Sequence, residues 1–221
     1  MDLKRLSREL DQARRRSDRA TKRLRDGGAH AQLEFRAAME AQLDAERALA
    51  AARNQEHAVP FDLGVQWDVG APLPHLLASG LRTFLAFYLS EPDPEWDGTY
   101  VRIVDPSDEQ PASLALVEFV ACSAVKMGPP NDEVIHGHPL YGRGLAAYQP
   151  LTVVNSRWIA EFVAINQVHE QFSAAHWDGQ RHFLFPFHDQ TVEAVACDVR
   201  LATSREPMRA LLARTLERLL D

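Results

Sequence analysis

Leu3, Leu6, Leu10, Ala13, Ser17, Ala20 and Leu24 recur at alternating steps of three and four. That is the a/d pattern of a coiled-coil seam, held for about three heptads. Gly27-Gly28 interrupts it, because paired glycines end a helix or allow a sharp kink. A second helix over roughly 30–55 carries Phe35, Ala38, Met39, Leu43 and Leu49. Two antiparallel helices and one kinked helix both fit. Neither stripe is buried by its own helix, so each needs a partner. The heptad phase favours a second copy of the chain, with the chain's own body as the other choice.

From about Pro60 the period shortens to two. Thr83–Leu89 reads as a strand, although Leu77, Leu81, Phe84, Leu85 and Tyr88 also fit a helix stripe. A polar loop at 91–98 and a strand at 100–105 follow. A long strand is expected over 114–127, with Ala115, Val117, Phe119, Ala121, Val125 and Met127 on its core face. Asn155 or Ser156 looks like the N-cap of a helix running to Phe172, with Trp158, Phe162, Ile165, His169 and Phe172 on one stripe. A hairpin around Asp189-Gln190 comes next. A last helix should start at Thr203 or Ser204 and bury Met208, Leu212, Leu216 and Leu219. This pattern predicts an α+β fold, an antiparallel sheet with packed helices, preceded by an N-terminal coiled coil or helical hairpin. The boundaries are 1–57 for the helical part and 58–221 for the globular domain.

Register sharpens the hairpin. With Asp189 and Gln190 at the tip, His188 pairs with Thr191, Phe187 with Val192 and Phe183 with Ala196. One face then holds Phe183, Phe185, Phe187, Val192, Ala194 and Ala196, a core. The other holds His182, Leu184, Pro186, His188, Thr191, Glu193, Val195 and Cys197, with His188 diagonal to Glu193. Glu118 lies among apolar residues on the non-core face of 114–127, where desolvation would raise its pKa. The hairpin's polar face should line a pocket or lie under the irregular 128–150 loop.

Charge narrows the partners. Residues 1–26 carry net +5, 27–57 net −2 and 58–221 net −10. An acidic body argues against nucleic acid, except through the basic 1–26 segment, whose interleaved acids suit a solvated helix face. The charges after Lys4-Arg5 do not form a secretory signal, and no apolar run of about 18 residues suggests a membrane span. Cys122 and Cys197 are too few for a disulfide framework and read as small strand hydrophobes. A cytoplasmic protein is expected, and 21 Arg against 3 Lys hints at a GC-rich bacterial genome.

Candidate chemistry gathers between Lys126 and Glu193. His136 and His138, with His188, Glu193 or His182, offer nitrogen and oxygen ligands for a divalent metal. The spacing is not that of a cupin, where a Glu would stand at Gly142, nor of a metallo-β-lactamase. His188 with Glu193 or Glu118 suits acid–base catalysis, with Arg143 or Arg181 as the anion-binding group. The plain alternative is that these groups hydrogen-bond one another and tie loop to sheet. His169 on an apolar stripe reads as a core histidine, and Asp189 as a turn former. There is no Gly-x-Ser-x-Gly, and Tyr141-Gly-Arg-Gly-Leu145 lacks what a phosphate loop needs.

Several unusual segments occur in order: Pro130-Asn-Asp-Glu, His138-Pro-Leu-Tyr-Gly-Arg-Gly-Leu145, Val154-Asn-Ser-Arg-Trp158, Ile165-Asn-Gln-Val-His169, Arg181-His-Phe and Phe187-His-Asp-Gln-Thr-Val-Glu193. Together they resemble a family of uncharacterised bacterial proteins over roughly residues 80–200. The family brings no assigned activity. The resemblance implies that His138, Tyr141, Asn155, Trp158, His169, His182, His188 and Glu193 form one constellation. The leading function is non-enzymatic. A small molecule or protein partner would be recognised through His136, His138, Tyr141, Arg143, His182, His188 and Glu193, and self-association would run through residues 1–57. The alternative is a hydrolase-like enzyme using His188 or a histidine-bound metal, so enzymatic activity stays open.

Overall fold

The computed structural model describes residues 2–25, 27–91, 105–107 and 109–220. The strand expected at 100–105 and the loop before it lie, apart from their end residues, outside these. Helices α1 (Leu3–Leu24) and α2 (Ala29–Ala52) form an antiparallel hairpin within one chain. Leu6 and Leu10 of α1 pack on Leu49 near the end of α2, and Arg23 pairs with Glu34 at the other end. Between them Ser17 donates a 2.9 Å hydrogen bond to Met39 Sδ. The heptad stripe is therefore spent on α2. Asp2 caps α1 by accepting from the N–H groups of Lys4 and Arg5. Gly27 and Gly28 make the turn with φ of 81° and 102°, which glycine adopts without a Cβ penalty.

The remaining elements are β1 (His57–Pro60), β2 (His75–Ala78), β3 (Thr83–Tyr88), β4 (Ala112–Val120), β5 (Ala124–Gly128), β6 (Leu151–Val154), α3 (Arg157–Asn166), α4 (Ala174–Asp178), β7 (Arg181–Pro186), β8 (Thr191–Ala196), β9 (Asp198–Glu206) and α5 (Met208–Arg218). They build two antiparallel sheets, β1-β6-β7-β8-β5 and β2-β3-β4-β9. The inner faces meet over Leu85, Phe87, Val117 and Phe119 on one side and Phe183, Phe185, Phe187 and Val192 on the other. Phe84, Leu114 and Leu116 face outward under Met208 and Leu211 of α5. Leu151, Val153 and Leu184 face outward under Leu140 and Leu145 of the 129–150 loop. Whereas β9 stays half exposed, the central strands β3, β4 and β7 are thus covered on both faces. This is why β3 reads as an unbroken apolar run compatible with helix or strand.

Three sequence expectations change. The 114–127 strand is creased: β4 ends at Val120, Ala121 takes φ 48°, and β5 continues in the other sheet. The partner strand makes the same crossing between Ala196 and Asp198, and one more residue lies on the β4–β5 side. Val120 faces Asp198 while Ala124 faces Val195. That is a β-bulge, the usual means by which strands turn a sandwich corner. Second, the helix expected from Thr203 is strand to Glu206, paired with β4; α5 starts only after Pro207. It buries Met208, Leu211, Thr215 and Leu219 and leaves Leu216 exposed. Third, α3 stops at Asn166, and Ile165 and His169 are exposed, so His169 is no core histidine.

Candidate functional site

The β7–β8 register differs from the sequence expectation by two residues. Pro186 pairs with Thr191 and Leu184 with Glu193, so residues 187–190 form the connection. A shift of two leaves every side chain on its expected face but changes its partners. His182, not His188, becomes the diagonal neighbour of Glu193. Lys126 of β5 stands directly opposite Glu193 on the other side.

These groups form a polar row, buried at His182 and Glu193 and open to solvent at Lys126. Glu193 Oε2 accepts from His182 Nε2 at 2.8 Å, and Oε1 pairs with Lys126 Nζ at 2.8 Å. His138 Nε2 faces Oε1 at 3.7 Å, while its Nδ1 accepts from the Leu140 N–H. Burial pushes the Glu193 carboxyl up; His138, His182 and the Lys126 ammonium outweigh it and hold it below the ordinary carboxylate range. The Lys126 ammonium also sits 4.5 Å above the Trp158 ring, and Trp158 meets His182 edge-on at 5.2 Å. The other His182 nitrogen, Nδ1, lies 2.9 Å from Ser156 Oγ. Ser156 caps α3, its Oγ accepting the Ile159 N–H at 3.2 Å. An ionised carboxylate only accepts, so Nε2 of His182 carries the proton. In the tautomer with that single proton, Nδ1 accepts from the Ser156 hydroxyl. The row reads Ser156, His182, Glu193, Lys126.

His188 belongs to a different cluster. Its Nδ1 lies 3.1 Å from Asp132 Oδ2 and 3.1 Å from Tyr148 Oη, and Tyr148 donates a very short bond to the same Asp132 oxygen. The Tyr148 hydroxyl holds the Asp132 carboxyl below its ordinary value, and burial together with Asp132 pushes the phenol up. With the Asp132 N–H donating to the His188 carbonyl, this cluster pins the 129–150 loop to the β7–β8 connection. Tyr148→Phe should let the Asp132 carboxyl rise toward its ordinary 3.8. Following the carboxyl carbon shift with pH checks this, and an unmoved titration would remove Tyr148 as the cause.

The other sequence candidates scatter. His136 and Tyr141 are exposed and touch each other edge-on at 6.4 Å. Arg143 spends its guanidinium on the Glu56 and Pro139 carbonyls, which leaves it poorly placed for an anion. Glu118 lies on the other sheet, clamped between Arg82 (2.8 Å) and Arg218 (3.0 Å) rather than isolated among apolar groups. His136, His138 and His188 do not meet. Among the described residues no three His, Cys, Asp or Glu side chains form a metal-holding group. Cys122 is half-buried, and burial pushes its thiol up.

Beside the row opens a groove of about 700 Å³, lined by Phe61, Val153, Ser156, Ile159, Gln180 and His182, with Arg181 at its border. Gln180 is 7% exposed; its Nε2 donates to Cys197 Sγ at 3.3 Å, and its Oε1 has no partner. Turning the amide over exchanges the two ends but still leaves one unsatisfied. Sequence reasoning read Ser156 only as a cap and passed over Lys126, Asp132, Tyr148 and Gln180. The signal for Lys126 was present, since its even position lies off the core face of β5. The β5–β8 pairing that brings it to Glu193 has no local signature. The chain matches no family model, no curated protein and no solved structure.

Proposed function

We infer that the globular domain binds a small molecule in the groove between β6, β7 and α3. The observation that carries this reading is the lining, where polar Ser156, Gln180 and His182 meet apolar Phe61, Val153 and Ile159 around one groove. Phe61, Val153 and Ile159 give the groove an apolar wall, and Arg181 gives it a cationic border. A ligand with a short apolar part and an amide or carbonyl group suits this lining. The half of the reading that concerns self-association through residues 1–57 rests on narrower ground. With Leu6, Leu10, Ser17 and Ala20 of the α1 stripe buried in the hairpin, a second copy would meet Leu3, the stripe's exposed first residue, and Leu33 of α2.

Butyramide and butyrate are suitable probes. In amide-resolved NMR, the Gln180 side-chain signals and the backbone of 153–160 should move on titration with butyramide. Gln180→Leu should weaken binding by about tenfold, the value of one hydrogen bond. Titration without change at these residues, with the protein folded, would end the proposal.

A further inference from the structure

We propose that Ser156 is a nucleophile, with His182 as its base and Glu193 as the residue that positions His182, acting on a carboxylic ester bound in the groove described above. The inference rests on the binding reading and goes beyond it by assigning a reaction. Its physical basis is the direction of the hydrogen bonds. Glu193 takes the Nε2 proton at 2.8 Å, which leaves the Nδ1 lone pair to receive the Ser156 hydroxyl at 2.9 Å. A serine is a weak nucleophile until a neighbouring base takes its proton, and a third group that orients the base completes the arrangement. The nitrogens are used in the opposite sense to the familiar serine–histidine–aspartate arrangement, but the proton path is the same.

Local structure supports the role. Val154 ends β6, Asn155 turns the chain with φ 54°, and Ser156 stands where α3 begins. A strand, a sharp left-handed turn and a helix start present the serine at the rim of the sheet rather than within it. Trp158 packs edge-on against the His182 ring and limits its rotation. Ser156 and His182 both line the groove, so a bound carbonyl has access to the same wall that holds the base. Arg181, also in the lining, is the N–H donor available to the charge that develops on the carbonyl oxygen, the Asn155 amide being held by Asn54 Oδ1 at 3.1 Å.

In the reaction Ser156 Oγ bonds to the ester carbonyl carbon while its proton passes to His182 Nδ1. The carbon–oxygen bond to the alcohol then breaks, and the departing alcohol takes that proton. Water attacks the acyl-serine and gives one proton to Nδ1. The carboxylic acid leaves as Ser156 recovers its hydrogen. No redox partner or metal enters this balance.

The test uses the full chain with an alkyl fluorophosphonate and with p-nitrophenyl butyrate. Wild type should gain the mass of one phosphonate on Ser156 with loss of fluoride, and should release a burst of about one p-nitrophenolate per chain. Ser156→Asn retains a helix-capping oxygen but has no hydroxyl, and it should show neither. Glu193→Gln presents an N–H where the ring needs an acceptor and reverses the tautomer. Labelling should then fall by about a hundredfold or more, with Glu193→Asp restoring part of it. A folded wild type that is not labelled, or labelling that persists in Ser156→Asn, overturns the proposal. Butyramide binding without labelling would leave the groove and remove the nucleophile, whereas labelling without butyramide binding would do the reverse.

Discussion

Glu193→Ala is expected to destabilise the protein by about 1–3 kcal/mol, the cost of leaving the buried His182 N–H without its acceptor. The Lys126 ammonium opposite is more than half exposed, so its loss of a partner is screened by solvent. Among the described residues the carboxylate is the only acceptor shared by His182 and Lys126, and it also faces His138. Its loss leaves a buried imidazole N–H unpaired and removes the counter-charge of Lys126. Denaturant unfolding of wild type and variant measures the difference; a loss under about 1 kcal/mol would mean that water replaces the carboxylate freely. The pH dependence has a definite sign. The folded-state carboxyl lies below its ordinary value of 4.5, so the unfolded chain takes up a proton first as acid is added. The stabilisation from Glu193 is complete above about 4.5 and fades as the pH falls below it toward the folded-state value. Glu193→Ala should flatten wild-type acid sensitivity in that window and leave the neutral range parallel.

Gly144→Ala is the second large effect, about 2–5 kcal/mol from left-handed strain and overpacking combined. Gly144 holds φ +86°, and a Cβ there would lie 2.5 Å from the Ala58 carbonyl and 2.5 Å from Arg47 Cγ. The carbonyl belongs to β1 and has no freedom to withdraw without disturbing the β1–β6 ladder. Arg47 donates to both the Ala58 and Gly144 carbonyls, and Glu46 accepts the Gly144 N–H. The extra methyl therefore strikes the joint between helical hairpin and domain. Gly142→Ala is the control. It has φ +72°, but its Cβ would meet only the flexible end of Arg14 at 3.7 Å, so strain alone should cost about 1–2 kcal/mol. Unfolding free energies and amide spectra of both variants decide; equal losses would place the cost in the backbone conformation and not in the close approach.

Much of this was legible in the chain. The period of two separated Phe183, Phe185 and Phe187 from His182 and Glu193, because face is a local property of alternation. The two helices and their glycine break were equally clear. Register was not, because it depends on how the 187–190 connection closes, and the same faces are compatible with slips of two. That single ambiguity exchanged His182 for His188 as the partner of Glu193. The β9 segment misled for a related reason: Thr203-Ser204 resembles a cap, but Val199 and Leu201 alternate toward the core, and pairing with β4 outweighs the local signal. The stripe of α1 fixed its need for a partner without naming it. The nearest candidate, a helix joined by a two-glycine turn, took the place expected for a second copy.

The crease at Ala121 and Cys197 makes the two sheets behave like the covers of one book. A single two-stranded ribbon runs from β4–β9 into β5–β8, so along that spine the covers are joined by covalent chain as well as by packing. Among the described residues the opposite margin has no such spine. There Phe61, Leu63, Val65 and Trp67, on the connector from β1 to β2, fold against the core and act as the clasp. Phe61 is at once part of that clasp and part of the groove wall. Whatever fills the groove therefore also touches the clasp that holds the two covers together.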